Sequence, residues 1–242
     1  MTAMDKLRNS NGLFITATGT DVGKTYVTTL LIRQLRAQQR QVLALKPILS
    51  GLANLPIDHS DTARLLSAMG DDITPDTQKA ITPWTFQRPL SPDMAARMEG
   101  TDEIDFNALI HFCQDQLYSH QGTVLIEGVG GVMVPINTKM VVADWIAALH
   151  IPALLVTSSR LGTLSHTLTA VECLKSRGIP LHGIILSEAA EETIPLEETH
   201  TSLTNFLPDV PIRCLHRSPL SADDHIQPDL TDLLLASPPL PK

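Results

Sequence analysis

Cysteine is sparse in this chain. Cys113, Cys173 and Cys214 are odd in number and scattered. That excludes a disulfide framework, and no pair has metal-ligand spacing. They read as small core residues of a protein kept in a reducing cytosol. No segment approaches the ~20 unbroken apolar residues of a membrane span. The opening MTAMDKLRNSNG lacks the apolar stretch of a signal peptide. A soluble, cytoplasmic protein with no membrane partner is expected. No long basic run occurs and the net charge is −8, which argues against a nucleic-acid surface, although a local basic cleft can still hold phosphates. The nine histidines form neither H-x-x-x-H nor H-E-x-x-H, so a zinc site is not expected. Without a G-x-S-x-G elbow or a plausible Cys/His pairing, nucleophilic hydrolase chemistry has no support.

What the chain has is apolar patterning. Hydrophobic residues make up 43% of 242, enough for a real core. Residues 13–17 (LFITA) read as a buried strand running into a Gly/Thr turn. Residues 25–38 carry Val27, Leu30, Leu31 and Leu35 on one helical stripe, and 42–45 read as a second strand. This is a βαβ unit, which favours a parallel sheet covered on both faces. Strands recur at 123–126, 153–157 and 183–186, separated by amphipathic stretches at 106–118, 142–149, 164–176 and 196–207. With neither an internal repeat nor a linker, the expectation is one α/β domain, a mostly parallel central sheet with helices on both faces. Residues 218–242, rich in Pro, Ser and Asp, read as a loosely packed tail. Ligands of open α/β sheets bind beyond the carboxyl ends of the strands. The segments with unusual chemistry, 18–25, 46–51, 127–131 and 158–163, all follow strands and should converge on one edge.

The first of these is specific. ATGTDVGKT at residues 17–25 ends in the Gly-Lys-Thr of a phosphate loop. Backbone N–H groups and a helix N-terminus face an anion there, Lys24 adds a point charge, and Thr25 offers a hydroxyl to Mg²⁺. Strict G-x-x-x-x-G-K-[ST] spacing fails, because Thr18 stands where the first glycine belongs. The strand before and the amphipathic helix after carry the reading.

Other polar groups are open to two readings. Lys46 ends an apolar strand and is either a snorkelling surface residue or a cation aimed into the crevice. Ser50 and Gly51 follow in what reads as a turn. Asp61 opens a helix, where it serves either the helix dipole or a metal. Glu127 closes a strand expected to be central, and a lone buried carboxylate is costly unless paired or metal-bound. With Thr25 and Asp61 it can complete a Mg²⁺ site of hard oxygens; the alternative is a structural ion pair. Asp21 faces substrate or solvent. Gly128, Gly130 and Gly131 mark a sharp turn or a close approach to a ligand. His166 either reaches the site or is an ordinary helix residue.

Taken together, these segments resemble the dethiobiotin synthetase family. Its phosphate loop runs G-T-D-T-x-V-G-K-T, matched by 17–25. Its KPxxSG, Ser-Asp, SPHxAA and EGxGG motifs are matched by KPILSG at 46–51, Ser60 and Asp61, SPDMAA at 91–96 and EGVGG at 127–131. The likeness continues through RLGTLSH at 160–166 and covers roughly 14–187. The resemblance implies a P-loop NTPase-like fold and an ATP-dependent ligase of biotin biosynthesis. CO₂ would add to 7,8-diaminononanoate, ATP would phosphorylate the carbamate, and the second amine would close the ring. It implies nucleotide contacts at Gly19, Thr20, Asp21, Val22, Gly23, Lys24, Thr25, Glu127, Gly128, Gly130 and Ser187. Lys46, Lys24 and Thr20 would be catalytic, and Asp21, Lys46 and Ser50 would line the substrate side. Leu161, Gly162, Thr163 and Ser165 would hold the substrate carboxylate from a neighbouring subunit, which implies a homodimer with sites at the interface. Ala17, Gly19, Asp93 and Ser187 depart from the family's usual Gly, Asp, His and Asn, and the usual Gly-x-Ile-Pro is missing around 211–216.

The rival of another class is a deviant-P-loop ATPase switch of the partition or septum-positioning type. Such proteins carry an extra lysine early in the loop and a basic C-terminal membrane helix, and this sequence shows neither.

Overall fold

The computed structural model describes residues 12–54, 57–189, 194–217 and 227–234. Six strands form one sheet: β1 (Gly12–Ala17), β2 (Val42–Leu45), β5 (Thr123–Glu127), β6 (Ala153–Ser158), β7 (Leu181–Ser187) and β8 (Ile212–Leu215), ordered β2-β5-β1-β6-β7-β8. Every pairing among them is parallel. Each position of β1, β5 and β6 is buried, so both faces of the sheet centre are covered. This is why these strands read as continuous apolar runs rather than alternations.

The helices are α1 (Lys24–Ala37), α2 (Asp61–Met69), α3 (Pro75–Ile81), α4 (Pro92–Glu99), α5 (Phe106–Ser119), α6 (Val142–Leu149), α7 (Thr163–Ser176) and α8 (Leu196–Phe206). On α1 the stripe Val27, Leu30, Leu31 and Leu35 is buried, as its helical spacing requires. Phe14 of β1 meets Trp145 of α6 edge-to-face at 4.8 Å, a geometry worth about 0.5–1.5 kcal/mol beyond area burial. No helix of the described residues is long and apolar enough to cross a membrane.

Three findings differ from the sequence expectation. Ser50, read with Gly51 as a turn, instead ends a strand, β3 (Ile48–Ser50), which pairs in parallel with β4 (Trp84–Phe86) as a separate two-stranded sheet. Of the cysteines only Cys113 is fully buried, and burial pushes its thiol up to about 12. Cys173 and Cys214 are only partly covered. Within the expected tail, residues 227–234 are held down: Gln34 binds the Pro228 carbonyl and the Leu230 amide, each at 2.9 Å. His182 Nδ1 lies 2.9 Å from the Leu233 carbonyl. The rest of 218–242 lies outside the described residues.

The topology fixes where chemistry collects. From β1 the chain goes through α1 to β2 on one side, and from β6 through α7 to β7 on the other. The crevice beyond the ends of β1 and β6 is therefore the switch point at which such sheets bind ligands.

Candidate active site

The loop 18–23 leaves β1 into that crevice. Gly23 caps α1 at φ 103°, with no side chain capping the helix and no acidic residue in its first turn. The first N–H groups of α1 and the positive end of its dipole are thus left for an anion. A Cβ at Gly23 would also crowd Ser187 Oγ at 3.3 Å. Asp21 holds a left-handed φ of 56° without being glycine, a conformation that costs on the order of 1–3 kcal/mol and marks a constrained loop. Thr20 and Asp21 are exposed at the loop's tip. Lys24 curls back so that Nζ donates to the Gly19 carbonyl at 3.1 Å. Burial, and then the charge of Lys46, bring its ammonium down to about 8; bound phosphates would supply the missing counter-charge.

Across the crevice lies a buried ionic cluster. Glu127, wholly buried at the end of β5, accepts from Lys46 Nζ at 2.7 Å and from the Thr25 hydroxyl at 2.8 Å, both on Oε1. Lys46 also donates to the Gly128 carbonyl at 2.8 Å. Its third proton has Asp61 Oδ2 at 3.8 Å. Lys46 is 3% exposed, so it is not a snorkelling surface residue. The second oxygen of Glu127 is buried without a hydrogen-bond partner among the described residues. Thr25, Asp61 and Glu127 therefore offer hard oxygens with one lone-pair set uncommitted, and the cluster suits a divalent cation that completes its shell with water and phosphate. Gly128 follows because a Cβ there would fall 2.8 Å from the Phe14 ring.

A family profile described as an AAA domain matches residues 11–216. An ATP-dependent dethiobiotin synthetase of Acidiphilium cryptum is 44% identical over 199 residues, covering 82% of this chain and 89% of the relative. One from Methylobacterium nodulans is 44% identical over 190 residues, covering 76% and 84%. The chain belongs to the dethiobiotin synthetase family. Among solved structures, the septum site-determining protein MinD of Pyrococcus horikoshii, complexed with Mg-ADP, matches at TM-score 0.52 and 19% identity over 86% of this chain and 82% of that one. This likeness extends to the fold alone.

The structure gathers Lys24, Thr25, Lys46, Asp61 and Glu127, from four separate stretches of the sequence, with Gly19 and Gly128 contributing carbonyls. Ser50 ends β3, half-buried, and Ser187 packs against Gly23. Gly130 takes φ 57° in the turn after β5. Val22 is half-buried against the core. Leu161, 80% exposed, and Gly162 and Ser165, also exposed, face solvent at the start of α7. Thr163 does not: it is buried and its hydroxyl bonds Thr157 at 2.8 Å. His166 is exposed on the same helix. Sequence reasoning missed the carbonyl of Gly128, since no side-chain motif signals a backbone acceptor, and it missed the threonines packed around Thr157.

Proposed function

We propose that the protein is an ATP-dependent cyclo-ligase that converts 7,8-diaminononanoate and CO₂ to dethiobiotin, with ADP and phosphate as the other products. One amine nitrogen attacks CO₂, forming an N–C bond and losing a proton. A carbamate oxygen then attacks the γ-phosphorus as the bond to ADP breaks. Finally the second amine attacks the carbamoyl carbon, phosphate leaves, and the ring closes with loss of a proton.

The observation that carries the reading is Lys46. It is an ammonium sunk beside the phosphate loop, with two protons fixed by Glu127 and Gly128, while Asp61, its third neighbour, stands at 3.8 Å, beyond hydrogen-bond length, so that one proton can turn to the anions. Carbamate and γ-phosphate repel each other most as they approach. A fixed cation at that point acts as preorganised electrostatic stabilisation and needs no reorganisation during the step. Lys24 serves the β/γ-phosphates from the other side. Thr25, Asp61 and Glu127 would hold Mg²⁺, which when bound would neutralise phosphate charge and orient it. Thr20, Asp21 and Ser50 would line the substrate side, where positioning of the two amines supplies much of the remaining rate.

Helix α7 begins at Gly162 with no side-chain cap and no acidic residue in its first turn. That supports an anion at its N-terminus, and the reading takes it as the diamine's carboxylate, held by the segment 161–165, whose Leu161, Gly162 and Ser165 are exposed, at the site of a second copy in a cytoplasmic homodimer. Base recognition would fall to the region around Ser187.

The test is product analysis by mass spectrometry with labelled bicarbonate. Label in dethiobiotin, with ATP consumed only when both diamine and bicarbonate are present, is expected. Phosphate release with ATP alone, unchanged by either substrate, would sink the ligase reading and favour the ATPase switch.

A further inference from the structure

Ala17 of β1 pairs with Val156 of β6, so the next residues, Thr18 and Thr157, stand opposite each other at the mouth of the crevice. Their hydroxyl oxygens are 3.1 Å apart. The Thr157 hydroxyl also meets those of Thr163 at 2.8 Å and Thr167 at 2.9 Å. A hydroxyl has one proton to give and two lone pairs to receive; three threonine partners use all of them. Thr157 and Thr167 are wholly buried and Thr163 is 4% exposed, so the bonds of Thr157 to Thr163 and Thr167 are made away from water, where an unmade one is costly, while its bond to the half-buried Thr18 is part-buried.

These bonds tie together three things: the first residue of the phosphate loop, the end of β6 and the first two turns of α7. Thr18 occupies the position at which a strict phosphate loop carries glycine. Its amide is held by the Val156 carbonyl at 3.0 Å, and its side chain is free to act as a strut. We propose that Thr157 is a positioning residue for the phosphate loop, holding Thr18 through its hydroxyl so that the nucleotide meets a loop already ordered. Nucleotide binding to an ordered loop avoids the entropy of ordering it. The proposal rests on the loop being a nucleotide-phosphate cradle and not on the carboxylation chemistry.

The experiment measures dissociation constants for Mg-ADP and Mg-ATP by titration calorimetry, with no diamine present, so its result stands whether or not dethiobiotin is made. Thr157→Val keeps the shape but removes the hydroxyl, and should weaken nucleotide binding about tenfold, the size of one lost hydrogen bond. Thr157→Ser should restore binding. Thr18→Val removes only the loop's strut, at a half-buried position, so it tests the idea even if Thr157→Val fails to fold. It should weaken binding by a similar factor, and adding it to Thr157→Val should cost little more. Thr18→Ser should bind as the parent does. Wild-type affinity in Thr18→Val, or fully multiplicative losses in the double variant, would overturn the proposal.

Discussion

At the scale of single residues, the charged part of the site was legible because each group breaks a rule of its surroundings. A lysine after an apolar strand, and a glutamate ending a central one, are costly unless they meet. The structure brings them to 2.7 Å with both nearly water-free. The threonines around Thr157 break no rule: threonine is at home in strands, and nothing in ALLVTS marks its hydroxyl as a junction. The close pairing also sets a prediction. Lys46→Met should abolish turnover, and it should lower stability by about 3–5 kcal/mol because Glu127 is left charged and buried. Lys46→Met combined with Glu127→Gln should recover much of the stability and none of the turnover. Thermal melts beside product assays separate the two roles; turnover in the rescued double variant would remove Lys46 from the chemistry.

At the scale of elements, most of the segments read from apolar patterning were found nearly to their ends, and the three-residue strands were not. Strand β2 and helix α6 match the reading residue for residue. The three-residue strands β3 and β4 are too short for any period to show, and only the parallel pairing of Ile48 with Trp84 and Ser50 with Phe86 creates them. That pairing sets Ser50 opposite Phe86, so tertiary contact decided what local sequence left open. Helix ends were more local in origin. Asp105 caps α5 by accepting from the amides of Asn107 at 2.8 Å and Ala108 at 3.3 Å. Asp105→Ala should therefore cost ~1 kcal/mol, about 2–4 °C in melting temperature for a chain of this size. Nucleotide binding should be unchanged. A melting point equal to the parent's would show that the cap carries no stability.

At the scale of the whole molecule, the parallel topology was implied by one βαβ unit, and with it the convergence of every strand-following loop on a single edge. The packing of the C-terminal stretch was not legible, because its Pro, Ser and Asp resemble a solvated tail. In the fold, Leu230 and Leu233 are buried, Arg213 pairs with Asp232 at 2.6 Å, and His182 fastens Leu233 from β7. His182 is 8% exposed, and burial holds its imidazole below the ordinary 6.5 even though the Leu233 carbonyl pulls the other way. As pH falls below 6.5 the unfolded chain takes up a proton that the folded chain refuses. Stability must rise with pH through that window and be lost on acidification. His120 is shifted downward by burial too, so it adds to the same limb. His182→Asn keeps a side-chain N–H for the Leu233 carbonyl but does not titrate, and should flatten the acid limb in part, leaving the share of His120. Urea unfolding across that range reads the slope directly. An acid limb as steep in His182→Asn as in the parent would mean that the strap's anchor carries no pH dependence.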